Sequence, residues 1–223
     1  MMLVSFFKEQ NKTKAFHKAT FLKKEYPVVL MMHGSAFQYL LLGQFLASHG
    51  IVVIHVPYKG YLQNQFDVNT VGMETQIRDI EFALFSTIKK LDLSVKSIGL
   101  VGYSFGGQSA VGLAVRNPLV KGIVSLDGGI GSDFGPYLLE HFPFFNLEKL
   151  TMPIMHLYNP HDKGGNLNWF DKTIYNHNYL IGLDHMEHDF FGTFGWMDRH
   201  VPHLLGKSYS RVGHTPRLYR KQV

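Results

Sequence analysis

Short apolar runs alternate with longer stretches of helical periodicity along most of the chain. Several of the runs are apolar at successive positions instead of alternate ones. Strands of this kind are buried on both faces, which is typical of a parallel sheet covered by helices. The predicted strands are Val28–Met32, Ile51–Val56, Ile98–Val101, Ile123–Leu126, Ile154–Tyr158 and Tyr179–Leu183.

One long amphipathic helix is predicted between the second and third strands. Its apolar positions recur every three or four residues, so they share one helix face, and charged residues fall between them. Alternating strands and helices with right-handed crossovers predict an α/β fold, a mostly parallel doubly wound sheet with helices on both faces. We expect residues 1–223 to form a single domain. The apolar positions of the helix are Met73, Ile77, Ile80, Leu84, Ile88 and Leu91.

Residues 128–150 interrupt this alternation with glycines, prolines and several aromatic residues. A segment of this length can form a small cap over a binding site. We hypothesise that it lines the substrate entrance. The alternative is an ordered surface loop that packs its own phenylalanines.

Composition narrows the class of protein. The chain has 223 residues, of which 45% are apolar and 17% charged, so it is a folded globular protein. No apolar run approaches the roughly 18 to 20 residues of a membrane-spanning helix, so we expect no membrane span. The absence of cysteine excludes a thiol nucleophile and thiolate metal sites.

The formal net charge of +5 comes mainly from basic residues near the two ends of the chain. No nucleic-acid-binding motif accompanies them, so we interpret them as solvated termini and expect no nucleic-acid partner. The first apolar stretch, Leu3–Phe7, is shorter than the roughly 7 to 15 residues of a secretory signal core. This predicts a cytoplasmic location, or a chain from which a signal has been removed.

The strongest chemical motif is Gly102-Tyr103-Ser104-Phe105-Gly106, which ends a predicted strand and begins a predicted helix. A serine nucleophile on such a sharp turn has strained dihedrals, and side chains two residues before and after it would collide. The pattern G-x-S-x-G also arises by chance, but a chance match has no reason to lie between a strand and a helix. The context therefore favours Ser104 as a nucleophile.

A serine hydroxyl needs a base to take its proton, and the base needs an acid to fix its tautomer. The base should follow the last strand, where His188 is the first choice and His185 the alternative. Two aspartates compete for the acid. Asp162 follows the fifth predicted strand and is slightly favoured, whereas Asp127 ends the fourth strand, 23 residues after Ser104.

An oxyanion formed during acyl transfer needs preorganised donors. The backbone amide of Phe105, directly after the nucleophile, is one candidate. The backbone amide of Ser35 is the other, because His33-Gly34-Ser35 turns sharply after the first strand. We interpret His33 as a structural residue of that loop.

Other classes of site have weaker support. There is no H-E-x-x-H, and the pairs His185 with His188 and His200 with His203 have no third ligand nearby in sequence. The loop after the first strand is not a glycine-rich phosphate loop. We therefore predict no metal and no cofactor.

The His33-Gly34 turn, the Gly102–Gly107 motif, the segment from Pro153 to Asp162 and the His188 segment together resemble the α/β-hydrolase superfamily. More narrowly, they are similar to its dienelactone-hydrolase-like and platelet-activating-factor-acetylhydrolase-like members. Dienelactone hydrolases use a cysteine where this chain has Ser104, which argues against that particular activity. The acetylhydrolase branch places its acid after the strand that follows the nucleophile helix, which matches Asp127.

The resemblance implies a serine esterase that cleaves small-molecule carboxylic esters through an acyl-enzyme intermediate. The alternatives are a non-catalytic ligand-binding relative, or a peptidase or lactonase on the same fold. The 14% aromatic content is compatible with an apolar acyl or aryl pocket. The sequence assigns neither the ester nor the oligomeric state.

Overall fold

A computed structural model describes residues 22–32, 39–58, 67–173, 177–184, 186–200 and 218–222. The strands are β1 (Glu25–Met32), β2 (Val52–His55), β3 (Ser94–Tyr103), β4 (Val120–Leu126), β5 (Ile154–Tyr158), β6 (Asn178–Leu183) and β7 (Leu218–Gln222). The helices are α1 (Leu40–Ser48), α2 (Thr70–Leu91), α3 (Phe105–Ala114), α4 (Phe134–Glu140) and α5 (Thr193–His200). Short 3-10 turns lie at Gly129–Gly131, Leu147–Lys149, Asn168–Lys172 and His188–Phe191.

In the described part of the chain, one sheet holds seven strands in the order β2-β1-β3-β4-β5-β6-β7. Neighbours from β2 through β6 are parallel, and only β7 pairs antiparallel, with β6. All the predicted strands are present, and the predicted mostly parallel α/β sheet is confirmed. β3 begins four residues before the predicted strand because Ser94–Ser97 pair with β1 although they are not a continuous apolar run.

Each face of the sheet packs against helices. On one face, strand side chains and buried residues of α2, α3 and α4 form the larger hydrophobic core. On the other face, Leu42 and Leu46 of α1 pack against a smaller cluster. Together the two layers bury the apolar strands on both sides, as the sequence predicts. The smaller cluster contains Met31, Tyr39, Val101, Tyr103, Leu126 and Phe191.

α2 has clear signals at both ends. The side chain of Asn69 accepts a hydrogen bond from the Gly72 amide at 2.8 Å, and Asp92 ends the helix with a left-handed φ of 49°. The predicted stripe is buried from Met73 to Leu84, but Leu91 is 39% exposed because the last turn extends past the core. None of the helices in the described residues is both long and apolar enough to cross a membrane.

Residues 128–150 contribute to the larger core. Leu138, Leu139, Phe142 and Leu150 are buried in it. Two aromatic side chains of the segment, Phe134 and Tyr137 of α4, are exposed and stack on each other. The segment is thus anchored by its own apolar residues, and the entrance role stays a prediction for its exposed rings.

The strand order reverses next to β3. The chain passes from β1 outward to β2 and then returns to place β3 on the other side of β1. In open α/β sheets, the crevice at the carboxyl ends of the strands beside such a reversal is the usual ligand site. Ser104 directly follows β3 and therefore lies at this crevice.

A buried histidine joins β4 to β5. His156 is 1% exposed, and its Nδ1 lies 2.9 Å from the Ser125 Oγ, its cross-strand partner. The imidazole also contacts the rings of Tyr158 and Phe170, at centroid distances of 5.5 and 5.2 Å. Burial lowers the pKa of His156 to about 4, although the Asp127 carboxylate partly opposes this.

We expect this histidine to make the fold acid-sensitive. The unfolded chain takes up the His156 proton near pH 6.5, whereas the folded chain takes it up only near pH 4. Between these values the unfolded state binds more protons, so the free energy of unfolding falls as the pH falls. The expected loss from pH 7.5 to pH 5 is about 2 kcal/mol.

Urea unfolding at both pH values, with wild type and His156→Gln, measures this loss. Glutamine keeps a hydrogen-bonding group beside Ser125 but does not titrate, so its loss should be smaller by about 2 kcal/mol. Other titrating groups are common to both proteins and cancel in the comparison. The exposed His141→Gln variant is the control and should follow wild type. Equal losses in wild type and His156→Gln would contradict the prediction.

Candidate active site

Ser104 occupies a strained turn between β3 and α3. Its φ is 52° and its ψ is −127°, and it is one of the few non-glycine residues with positive φ in the described chain. Such a conformation costs of order 1–3 kcal/mol and persists only where the surroundings impose it. The Ser104 side chain makes no capping hydrogen bond to the helix that begins at Phe105.

Two glycines allow the close backbone approaches around this turn. A Cβ on Gly102 would lie 2.3 Å from the carbonyl oxygen of Gly106, which is the collision expected from the motif. A Cβ on Gly107 would lie 2.8 Å from the Cα of Gly128. The second contact packs the start of α3 directly against the turn that follows Asp127.

The Ser104 carbonyl oxygen is held from several sides. It accepts hydrogen bonds from the amides of Gly107 at 3.0 Å and Gly129 at 2.9 Å. The Gln108 side-chain amide, in the orientation that satisfies its hydrogen bonds, donates to the carbonyls of Ser104 and Phe105, both at 3.0 Å. The turn that carries the serine is therefore tied to the turn after β4.

His188 connects Ser104 to Asp127. Its Nε2 lies 3.0 Å from the Ser104 Oγ, and its Nδ1 lies 2.7 Å from the Asp127 Oδ2. Because a carboxylate only accepts hydrogen bonds, Nδ1 carries a proton. In the neutral imidazole Nε2 is then an acceptor, and the Ser104 hydroxyl donates to it. This is the arrangement in which a histidine can take a proton from a serine.

The local chain explains where His188 lies. It begins the 3-10 turn His188–Phe191 after β6, and Phe190 and Phe191 behind it are buried. The two rings anchor the turn, while the imidazole reaches toward the crevice with 49% of the side chain exposed. The histidine is therefore accessible from solvent although its turn is fixed in the core.

The backbone conformation of Asp127 directs its side chain toward His188. Its amide donates to the Leu157 carbonyl at 2.7 Å, and its φ of 44° turns the chain immediately after β4. Asp and Asn tolerate such values better than other non-glycine residues do. Only 11% of the Asp127 side chain is exposed, so its charge is poorly screened by water.

The preference for Asp162 over Asp127 is not matched by the geometry. Asp162 lies in the exposed loop after β5, where its Oδ1 accepts a hydrogen bond from the Gly164 amide at 3.1 Å. This contact is typical of a turn carboxylate that binds nearby amides. The carboxylate that bonds to His188 is that of Asp127.

The pKa of His188 is raised above its usual value. The largest cause is the hydrogen bond to Asp127, and burial opposes it. The negative charges of Asp127, Asp189 and Asp162 favour the imidazolium further. Asp162 thus acts on His188 only through its charge. The arrangement therefore stabilises the protonated imidazole.

The remaining predicted site residues divide into two groups. Ser35, His33 and the alternative base His185 lie outside the described residues. Phe105 is buried and is the first residue of α3, and its amide directly follows Ser104. An amide in the first turn of a helix is at the positive end of the helix dipole, which favours negative charge nearby.

Two further residues contact the site, and no sequence motif identifies them. Tyr103 contacts His188, and Gln108 holds the serine turn. Their only sequence signal is position, directly before Ser104 and four residues after it. Within the described residues, no group of three or more His, Asp or Glu side chains is arranged to hold a metal ion.

The fold and this serine turn define the class of protein. A mostly parallel sheet with helices on both faces, and a strained serine between a strand and a helix at the carboxyl edge, is an α/β-hydrolase fold. Residues 23–178 match the Dienelactone hydrolase family, so the chain belongs to that family. The class is therefore that of a hydrolase.

Solved structures agree with the fold. The chain is similar to the acylaminoacyl peptidase of Pyrococcus horikoshii, with a TM-score of 0.55 and 15% sequence identity. The match covers 70% of this chain and 32% of the peptidase, so the chain spans about a third of that protein's length. At this identity the likeness concerns the fold. A search of curated proteins found no match.

Proposed function

We propose that this protein is a serine hydrolase that cleaves carboxylic esters through an acyl-enzyme intermediate. The observation that carries the proposal is the hydrogen-bonded series Ser104–His188–Asp127, with distances of 3.0 and 2.7 Å. Its serine stands on a strained turn at the sheet's carboxyl edge. Family membership supports hydrolysis, and the geometry supports a serine mechanism.

In the first half-reaction, the Ser104 Oγ attacks the ester carbonyl while His188 Nε2 takes its proton. The imidazolium that forms is stabilised by Asp127, which also keeps the ring in the required tautomer. The negative charge on the carbonyl oxygen is received by the amide of Phe105 and, we propose, by that of Ser35. His188 then protonates the departing alcohol, which leaves the acyl group on Ser104.

In the second half-reaction, water replaces the alcohol. His188 Nε2 takes a proton from a water molecule that attacks the acyl carbonyl, and then returns a proton to Ser104. The His188 side chain is 49% exposed, which supports this step because water can approach the imidazole. The net reaction consumes an ester and water and releases an acid and an alcohol. The protein side chains alone supply the proton transfers, so no cofactor is proposed.

A panel of substrates tests the ester assignment. We expect p-nitrophenyl esters, from acetate to a long acyl chain, to be hydrolysed with kcat/KM at least about 100-fold above that for acylaminopeptide amides. An ester releases a better leaving group than an amide does, so its departure depends less on protonation by His188. Faster cleavage of peptide amides would favour a peptidase instead.

Covalent labelling separates an enzyme from a binding relative. A serine-directed fluorophosphonate should label wild type once per chain at Ser104, because the phosphorus takes the place of the acyl carbon. A protein that hydrolyses no ester and takes up no label would contradict the proposal.

The substrate-entrance hypothesis for residues 128–150 is tested with the same ester panel and the Phe134→Ser variant. If the segment lines the entrance, the variant should show a changed preference for acyl-chain length.

A further inference from the structure

Tyr103 contacts His188 in two ways. It is the last residue of β3, directly before Ser104, and its side chain is 3% exposed. Its hydroxyl donates to the carbonyl oxygen of His188 at 3.1 Å. Its ring stacks on the imidazole, with centroids 4.7 Å apart and planes at 25°. One buried side chain therefore holds both the ring and the main chain of the histidine.

Tyr103 is itself fixed by its surroundings. The ring of Tyr39 meets it edge-on, with centroids 5.8 Å apart and an interplanar angle of 68°. Both tyrosines belong to the smaller core cluster, together with Leu126 and Phe191. Close-packed side chains of this kind have little freedom to change rotamer. The Tyr103 ring is therefore a firm support for a half-exposed imidazole.

The two hydrogen bonds of His188 leave one motion open. They lie on opposite sides of the ring, at Nδ1 and Nε2, so the imidazole can still tilt about the line that joins their partners. A flat ring stacked against the imidazole face opposes that tilt. The hydroxyl bond to the His188 carbonyl fixes the backbone from which the side chain extends.

We propose that Tyr103 is a positioning residue that holds the His188 imidazole in line between Asp127 and Ser104. This inference rests on the proposed function, because it assigns Tyr103 a part in the same reaction. Tyr103 does not touch the reacting atoms and acts only through His188. Its ring face also attracts a cation, so it favours the imidazolium that forms when Ser104 loses its proton.

The charges around His188 define what the ring adds. The carboxylates of Asp127, Asp189 and Asp162 face it, and all of them favour the imidazolium. These groups remain when Tyr103 is replaced. A change in the pKa of His188 in a Tyr103 variant therefore reports the lost ring contact or a displaced imidazole.

Two substitutions separate the ring from the hydroxyl. Tyr103→Phe keeps the stacked ring, so we expect the His188 pKa to stay as in wild type while kcat falls about 5-fold with the lost hydrogen bond. Tyr103→Leu removes both contacts. We expect its His188 pKa to be lower by about 0.5 and its kcat to fall about 100-fold, with KM nearly unchanged.

The pKa is measured by NMR titration of imidazole signals in the folded, histidine-labelled protein, with His188→Gln to assign the signal. Tyr26 provides the matched control. Its hydroxyl also donates to a backbone carbonyl, that of Leu22 at 3.0 Å, but at the amino end of β1. Tyr26→Phe and Tyr26→Leu should keep the wild-type pKa of His188, and kcat within about 2-fold.

The outcomes are distinct. A wild-type His188 pKa in Tyr103→Leu, with kcat no lower than in Tyr26→Leu, would overturn the inference. If Tyr103→Leu does not fold, a kcat in Tyr103→Phe equal to that in Tyr26→Phe would overturn it. The titration needs no substrate. A lowered pKa in Tyr103→Leu, in a protein that hydrolyses no ester, would support the positioning contact and overturn the proposed function.

Discussion

Ser104→Ala should lower kcat for p-nitrophenyl ester hydrolysis by at least about 10⁴-fold. We expect the variant to keep the fold, the histidine and the aspartate, but it lacks the oxygen that forms the acyl-enzyme in the proposed mechanism. In the proposed mechanism, any residual rate comes from substrate binding and from the proposed oxyanion donors. The measurement is the steady-state rate of nitrophenolate release by the two proteins in parallel, with fluorophosphonate labelling of each.

Ser104→Gly adds a second readout at the same position. Glycine adopts positive φ at little cost, so this variant should unfold with a free energy about 1 kcal/mol higher than Ser104→Ala. Both variants should be equally inactive. An inactive but more stable protein shows that activity was lost through chemistry and not through unfolding.

Ser109→Ala is the matched control for the serine substitutions. Ser109 lies on the same helix, α3, and is fully buried with its Oγ 3.5 Å from the Phe105 carbonyl. We expect this variant to retain activity within about 3-fold and to be labelled like wild type. If Ser104→Ala and Ser109→Ala hydrolyse esters equally well, Ser104 is not the nucleophile and the ligand-binding alternative gains support.

Asp127→Asn should lower kcat by about 10³- to 10⁴-fold, whereas Asp162→Asn should stay within about 3-fold of wild type. An asparagine at position 127 no longer fixes the proton on His188 Nδ1, so the tautomer that accepts from Ser104 is lost. Asparagine also tolerates the φ of 44°, which protects the turn. At position 162 it can still accept from the Gly164 amide.

The pH dependence of kcat/KM gives an independent measure of the same contact. In the proposed mechanism His188 must be neutral to act as a base, so we expect the rate to fall on the acid side with the pKa of its imidazole. Because Asp127 raises that pKa, Asp127→Asn should move the acid limb to lower pH. Asp162→Asn loses only a minor charge contribution and should move it less. A larger rate loss in Asp162→Asn than in Asp127→Asn would contradict our assignment.

Local hydrophobic patterns in the sequence were sufficient to predict the parallel strands and the long helix. Runs such as Ile98–Val101 are apolar at successive positions, and this pattern predicts a strand that is buried on both faces. β7 was not predicted, because Leu218–Gln222 contains Arg220 and Lys221 and has no apolar run. An edge strand without an apolar run is identified by its backbone pairing with a neighbouring strand, and here that neighbour is β6.

The serine turn was also readable from the sequence. The close approach of Gly102 to Gly106 and the strained Ser104 are contacts between residues a few positions apart. The residue types of the motif therefore predict the backbone geometry of the turn. His188 follows the last parallel strand, as the sequence predicts for the base, and the structure brings its Nε2 to 3.0 Å from the Ser104 Oγ.

The partner of His188 depended on tertiary structure. Both Asp127 and Asp162 follow parallel strands at the same sheet edge, and spacing along the chain does not rank them. β4 is the neighbour of β3, whereas β5 is one strand farther away, and each strand adds about 4.8 Å. The positive φ of Asp127 and the contact of Gly107 with Gly128 then bring its carboxylate to the imidazole.

The role of Tyr103 was hidden for the same reason. Its contact with His188 joins residues that are 85 positions apart, and no pattern in the sequence around either residue predicts the contact. The sequence by itself determined the strands, the long helix and the serine turn, because these follow from neighbouring residues. Tertiary structure alone decided which acid and which aromatic ring meet the histidine, because strand order and turn direction set those distances.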